Sequence, residues 1–355
     1  MRISIKKHYF RLVKRIIFTI LIFIPLVVSA QIGGQNVYDF LNLTPSARVA
    51  SLGGVNISTI DDDLSLAYEN PALVNDSMHQ RVSLSFSNYL AGINFGSASY
   101  SHTFDKIGSF YSGIQYVNYG KLQGADEFGN LTGKFSAGDF AWVIGFARGW
   151  KSFRYGANLK LINSTLASGY SSVGLALDLG GSYQSANKLF SAGIVLRNIG
   201  TQLSTYVSGA EKEPLPFQFI LGLSNKLKYM PLRFSLTLTN LENPNLLFID
   251  PNAPLELDLN GEPIEPANQT LDRIFRHAIF STEFLLGKGF RLRAGYNHLR
   301  RQELRSENRA GFTGFSLGAG IRVKRFALDY GFSSYGFAGI FSVHQFSLLM
   351  NLQKT

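Results

Sequence analysis

The sequence predicts an all-β fold: a transmembrane antiparallel β-barrel of about fourteen strands with an N-terminal segment folded into its lumen. Three observations predict it. Apolar residues recur with a period of two rather than 3.6, fourteen candidate strands of about nine to twelve residues can be counted, and their connections alternate between short and long. Successive side chains of a strand point to opposite faces, so a period of two gives each strand one apolar and one polar face. About ten residues is what a tilted strand needs to cross a bilayer, and an even number closes a single-chain barrel with short turns on one side.

The chain begins with a leader. Arg2, Lys6, Lys7, Arg11, Lys14 and Arg15 precede an apolar run from Ile16 to Val28 and the small-residue exit Val28-Ser29-Ala30. A basic start, a short apolar stretch and a small-residue end describe a secretory signal peptide over residues 1–30, and the run is too short for a membrane-spanning helix. Of 34 basic residues these six leave with the leader, so 28 remain against 24 acidic ones and the net charge of +10 falls to +4. The basicity is therefore an address, which argues against a nucleic-acid partner. The chain has no cysteine, which excludes disulfides, thiolate metal sites and Cys nucleophiles. Only 16% of residues are charged, and Phe and Tyr are plentiful, so disorder is excluded as well.

Residues 80–355 read as the barrel. Phe153, Tyr155, Ala157, Leu159 and Leu161 alternate with Arg154, Gly156, Asn158 and Lys160, and Phe326, Leu328, Tyr330 and Phe332 alternate with Arg325, Ala327, Asp329 and Gly331. The same pattern marks 172–182, 231–239 and 289–297, while 92–103 alternates poorly. Strands are expected at 80–88, 92–103, 108–119, 137–147, 151–162, 172–182, 189–198, 215–224, 231–239, 274–284, 289–297, 311–321, 324–334 and 343–351. Connections after the even strands are short; those after odd strands, such as Gly120–Ser136, Ile199–Pro214 and Asn240–Arg273, are longer, except the first. Short periplasmic turns opposite long outer loops place both mature termini in the periplasm. Five of eleven prolines sit in the longest connection and none lies between Ala72 and Glu213, as ladder pairing requires. The polar face becomes the lumen, with Arg154, Lys160, Asp178, Arg233, Arg291, Arg293 and Asp329 as candidate lining residues. These could set selectivity or pair across a closed interior.

Residues 31–79 alternate poorly and carry their own motifs. Ser46-Ala47-Arg48 leads to Leu52-Gly53-Gly54, then Asp61-Asp62-Asp63, then Asn70-Pro71-Ala72-Leu73. This order resembles the N-terminal region of FadL-like outer-membrane barrels of Bacteroidetes, the group that includes PorV and PorQ. Gly33-Gly34 with Asp39-Phe40-Leu41, the stretch Asn88 to Gly96, Gln115 to Gly120 and Asp126 to Asn130 are most similar to the PorQ-like branch. The resemblance spans the mature chain and is densest before residue 140. It implies an N-terminal luminal plug over 31–79 and an outer-membrane component of the type IX secretion system. It further implies PorZ-, PorU- and PorV-like protein partners, which process and attach secreted cargo and which this barrel would anchor. The alternative is a FadL-type outer-membrane channel for hydrophobic or small polar solutes. Many outer-membrane barrels end on an aromatic residue, whereas this chain ends Leu352-Gln353-Lys354-Thr355, with Phe346, Leu348 and Met350 further in.

No residue pattern supports an enzyme or a cofactor. Asp61-Asp62-Asp63 lacks the spaced acids, Gly and terminal Glu of a calcium loop, so a solvated turn is expected there. The six histidines never fall at metal-ligand spacing. Gly314-Phe315-Ser316-Leu317-Gly318 matches a nucleophile-elbow string but sits in a Gly-rich strand with no following helix. Arg300, Arg301, Arg305 and Arg309 make one connection basic; it reads as a solvated loop, or as a contact for lipopolysaccharide phosphates.

Overall fold

The computed structural model describes residues 36–247, 270–287, 289–304, 311–336 and 342–353. The expected leader, Gly33-Gly34, most of the Pro-rich connection, Arg305 and Arg309 lie outside the described residues. The strands are β1 (Arg81–Asn88), β2 (Asn94–Phe104), β3 (Gly108–Ala125), β4 (Leu131–Trp150), β5 (Phe153–Ala167), β6 (Tyr170–Gln184) and β7 (Phe190–Ser204). They continue as β8 (Gln218–Lys226), β9 (Leu232–Leu238), β10 (Ala278–Leu286), β11 (Phe290–Asn297), β12 (Phe315–Val323), β13 (Phe326–Ser334) and β14 (Ser342–Asn351). Each pairs antiparallel with its neighbours, and β1 pairs with β14, Arg81 facing Asn351, to close the barrel. Closure leaves no strand edge unpaired in lipid.

Burial runs inside out. On β5, Leu159 is 49% exposed while the adjacent Lys160 is 3% exposed, and Phe153, Tyr155 and Leu161 are exposed while Asn158 and Ser164 are buried. A water-soluble sandwich would invert this order; an apolar outer face with polar groups inside is the signature of a barrel in lipid. Leu159→Arg is therefore expected to cost about 2–4 kcal/mol if the site lies near the bilayer midplane. Reversible denaturant unfolding from lipid vesicles measures it, and a neutral result there contradicts a lipid-facing Leu159.

All fourteen expected strands are present, but three outer connections differ, one of them Ile199–Pro214, whose first residues extend β7 to Ser204. Gly120–Ser136, expected as a loop, is mostly strand: after a bulge between Asn118 and Lys121 the β3–β4 ladder resumes with Lys121 opposite Ser136 and Leu122 opposite Phe135. The β5–β6 ladder likewise runs on to Ala167 opposite Tyr170. The β3–β4 extension is exposed on both faces, where alternation ceases to mark a strand, whereas the β5–β6 extension still buries Ser164 against Asn163 exposed. The first residues of 274–284 are instead the end of a helix, α2 (Thr270–Arg276), which follows α1 (Ala47–Ser51) and precedes α3 (His298–Glu303).

Segment 36–79 is made of α1 and four short 3₁₀ turns, and it touches the inward side of the wall throughout. Its partners include Ala98 of β2, Ile114 of β3, Gly181 of β6, Ser224 of β8 and Ser347 of β14. The six short turns and the barrel ends Arg81 and Asn351 share one end. The first described residues lie at the other: Val37 N–H donates to Pro214 O, between β7 and β8, at 3.0 Å.

Candidate functional site

The site is the interface between segment 36–79 and the wall, and its motif residues explain its shape. Ser46 caps α1 by accepting from the Val49 N–H, and Ser65 Oγ donates to Ser46 Oγ at 2.8 Å. Ala47 N–H donates to Ser347 Oγ at 2.9 Å, seating the helix against β14. Gly53 and Gly54, at φ 95° and 104°, turn the chain out of α1 in a conformation that suits residues without a Cβ. Asp63 caps the next turn through Ser65 N–H. Asn70 accepts from Ala72 N–H at 2.9 Å and donates to Ile57 O, and Pro71 follows as the first residue of its turn. Ala72 and Leu73 are fully buried. These side chains hold a compact loop structure that has too little sheet or helix of its own.

Arg48 is the centre of the interface and is fully buried. Its guanidinium reaches Asp61 at 2.7 Å, Asp63 at 3.1 Å and Glu283 of β10 at 3.1 Å. Glu283 also accepts from Arg233 at 2.8 Å and Arg293 at 3.0 Å, and Arg293 bonds Asp329. Burial opposes ionisation of Asp61, but Arg48, Arg233 and Arg291 outweigh it and hold that carboxyl well below the usual carboxylate range. A depressed carboxyl adds stability above its unfolded value and loses it as pH falls through the folded one. The Asp61 contribution is thus complete at neutral pH and survives moderate acid. Beside it, Asp62 pairs with Arg322 at 2.6 Å and Arg81 at 2.9 Å. The expectation of a solvated Asp61-Asp62-Asp63 turn is therefore corrected: wall arginines draw Asp61 and Asp62 inward, the segment's own Arg48 holds Asp63, and the lock they form joins segment to barrel.

A second cluster lies across the lumen. Lys160 Nζ is 2.8 Å from both Asp178 Oδ2 and Asn198 Oδ1, and Arg197 pairs with Glu69 at 3.0 Å. A bulge builds it: the β6–β7 register shifts between Leu177 and Leu179, Asn198 takes φ 59°, and Arg197 and Asn198 are both buried. Bulges re-aim side chains in this way. Lys160→Met is expected to destabilise the barrel by about 3–5 kcal/mol, since it strands the Asp178 carboxylate. Paired unfolding curves of the variant and the parent measure this, and equal midpoints contradict it.

Of the predicted lumen residues, Lys160, Asp178, Arg233, Arg293 and Asp329 enter these pairs. Arg291 is half-buried and acts on Asp61 through its charge. Arg154 donates to Val74 O. Alternation had not singled out Glu283, Glu69 or Arg197. Glu283 was visible in the period-two pattern beside Phe284, and Arg197 keeps the inward parity of Ser191, Gly193 and Val195; the bulge breaks that parity only at Asn198.

Cavities lie at both ends. The turn-end cavity, about 800 Å³, is lined by His79, His102, Asp105, Lys106, Arg148 and Arg154. The loop-end cavity, about 240 Å³, lies over α1. Arg300 turns into it, with its guanidinium 4.5 Å from the Tyr335 ring, so it is not a solvated loop residue. Ser316 lies in β12, fully buried and 3.1 Å from Ser333, with no helix behind it. Among the described residues no group of three or more His, Asp or Glu is placed to hold a metal.

No family model matches the chain, and no curated protein matches it either. Solved structures do. The CymD monoaromatic hydrocarbon channel aligns over 90% of this chain and all of its own, at 13% identity and a TM-score of 0.50. A deltaS2 mutant of the TodX monoaromatic hydrocarbon channel aligns over 88% of this chain and all of its own, with the same identity and score. A Pseudomonas aeruginosa FadL homologue aligns over 88% and 98%, at 10% identity and a TM-score of 0.48. The two alignments at 0.50 concern the fold alone, a closed antiparallel β-barrel that this chain shares with those channels.

Proposed function

We propose that the chain is a non-enzymatic outer-membrane barrel of a Gram-negative bacterium that works as a FadL-type channel for small solutes, with residues 31–79 as its plug. The observation that carries this reading is the fold shared with CymD, a monoaromatic hydrocarbon channel. The polar interior favours small polar solutes over hydrocarbons, and the Arg48 lock makes the described state the closed one. The six-turn end would face the periplasm, as short turns do in such barrels. Solute efflux from proteoliposomes tests it: slow flux through the parent and faster flux once Arg48 is replaced are expected. A barrel impermeable in both forms overturns it.

The second reading is a permanently sealed barrel that anchors PorZ-, PorU- and PorV-like partners of a type IX attachment complex. It is supported by the resemblance of the 46–73 motifs and by how completely those motifs serve to fasten the segment to the wall. Purification from native outer membranes tests it directly: co-recovery of a PorZ-like protein supports it, and recovery of the barrel alone opposes it.

A further inference from the structure

The short-turn rim of the barrel carries a repeated charge that the fold does not call for. Five of its six turns are described in full, and each holds an exposed lysine: Lys106, Lys151, Lys188, Lys228 and Lys324. Asp105 is the only acid in those five turns, and among the described residues none of the five lysines pairs with a carboxylate. Four of them sit at positive φ: Lys106 at 65°, Lys151 at 57°, Lys188 at 56° and Lys324 at 51°. Lys151 and Lys324 each open a two-residue hairpin, since Trp150 pairs with Phe153 and Val323 with Phe326. That position requires φ above zero and favours Gly, Asn or Asp. Gly carries no penalty there, and Asn a smaller one than longer side chains. Lysine is the harder choice for the backbone in all four turns, so its recurrence points to the ammonium group.

The ammoniums lie at a defined depth. Lys151 Nζ is 5.4 Å from the centre of the Trp150 ring and Lys228 Nζ is 5.1 Å from that of Tyr229, and both rings are exposed. Exposed Trp and Tyr at a barrel rim mark the headgroup layer of the bilayer, where lysines reach lipid phosphates. Beside three of these turns the outer wall is hollow. An apolar groove of about 430 Å³ crosses β5 to β9, floored by Gly181 and Ala192 and walled by Phe153, Tyr183, Ile194 and Leu223. Phe153 is the first strand residue after the Lys151 turn, so the groove begins at the rim. The strands that form it meet in the turns of Lys151, Lys188 and Lys228, which contain no acid.

An apolar slot that opens at a rim of unneutralised lysines matches one chemistry, a hydrocarbon chain ending in negative charge. We infer that the groove across β5–β9 binds an anionic phospholipid of the periplasm-facing leaflet, one acyl chain lying over Gly181 and Ala192 and the phosphate held by Lys151, Lys188 and Lys228. The inference rests on the reading of the chain as an outer-membrane barrel with its short turns toward the periplasm, and not on whether that barrel conducts.

The chain carries its own reporter. Its two tryptophans are Trp142 and Trp150, and Trp142→Phe leaves Trp150 alone, paired with Phe153 at the edge of the groove. The experiment is quenching of Trp150 fluorescence in the full chain carrying Trp142→Phe, in vesicles that contain brominated phosphatidylglycerol or brominated phosphatidylcholine. A preference of about fivefold or more for phosphatidylglycerol is expected, the factor that one lysine at a charged surface supplies, and it should shrink at about 1 M salt. Lys151→Asn, Lys188→Asn and Lys228→Gln together should abolish the preference without loss of heat stability, because Asn suits the positive φ of the first two positions. Ala192→Leu, which fills the groove floor, should lower the preference with every lysine in place. Lys134→Gln, at the other end of the barrel, should leave it unchanged. Insertion of each variant is checked by heat-dependent migration on gels; should the triple variant fail to fold, Ala192→Leu decides. Equal quenching by the two lipids in the inserted parent, or a preference unchanged in the triple variant or in Ala192→Leu, overturns the inference and leaves the barrel reading standing. A parent chain that does not insert into vesicles overturns both.

Discussion

Arg48→Ala is expected to be the most damaging single substitution in the molecule, costing about 3–5 kcal/mol of stability and loosening residues 36–79 from the wall. The reasoning is an asymmetry of buried ion pairs. Arg48 makes ion-pair contacts at 3.1 Å or less with three carboxylates, one on each side of a turn and one on the barrel. Deleting the cation leaves those negative charges close together, with Arg233 and Arg293 as the remaining counter-charges for Glu283. Removing both partners is far less costly than removing one. Arg48→Met combined with Asp63→Asn, whose ion pair is with Arg48, should therefore recover part of the loss, a coupling that a double-mutant cycle isolates. Unfolding midpoints in lipid vesicles give the energies, and single-channel recording in planar bilayers gives the opening. If Arg48→Ala keeps the parent midpoint and conductance, the guanidinium is not what fastens the segment.

The barrel was legible because the bilayer enforces it on every strand. Leu159 beside Lys160, or Phe326 beside Ala327, has its face set by a packed, largely polar interior on one side and lipid on the other, and period two follows. Where that contrast ends, legibility ends: the β3–β4 ladder beyond Asn118 has water on both faces and reads as a loop. The lumen residues were legible as a face but not as pairs. Nothing local in Lys160 or Asp178 says that a register shift at Leu177 will bring Arg197 and Asn198 to the same side. Asp61-Asp62-Asp63 misled for the same reason. Three adjacent acids look solvated until arginines from β1, β9 and β12 are brought against Asp61 and Asp62, and Arg48 of α1 against Asp63.

Glycine carries the second large prediction. The 35 glycines are legible as small-face residues, but the structure gives several of them a sharper task. A Cβ at Gly295 of β11 would lie 2.2 Å from Gly53 N and 2.3 Å from Leu52 C, and one at Gly331 of β13 would lie 2.3 Å from Ala47 O. On the far wall a Cβ at Gly193 would lie 2.2 Å from Ile57 O. Each collision sets a fixed Cβ against backbone, so no rotamer change relieves it, and the segment must move away from the wall. Gly295→Ala is therefore expected to cost about 1–3 kcal/mol through overpacking and to expose residues 36–79 to protease. Gly181→Ala is the control, because its Cβ would meet only the Ile194 side chain, at 3.0 Å. Limited proteolysis followed by mass spectrometry reads the release of the segment. A Gly295→Ala barrel as resistant as Gly181→Ala would mean that the close approach of Gly53 to β11 does not hold the segment in place. A nicked one, with its barrel still heat-stable, would place the fastening of the segment in the glycines of the wall as much as in the charges of the lock.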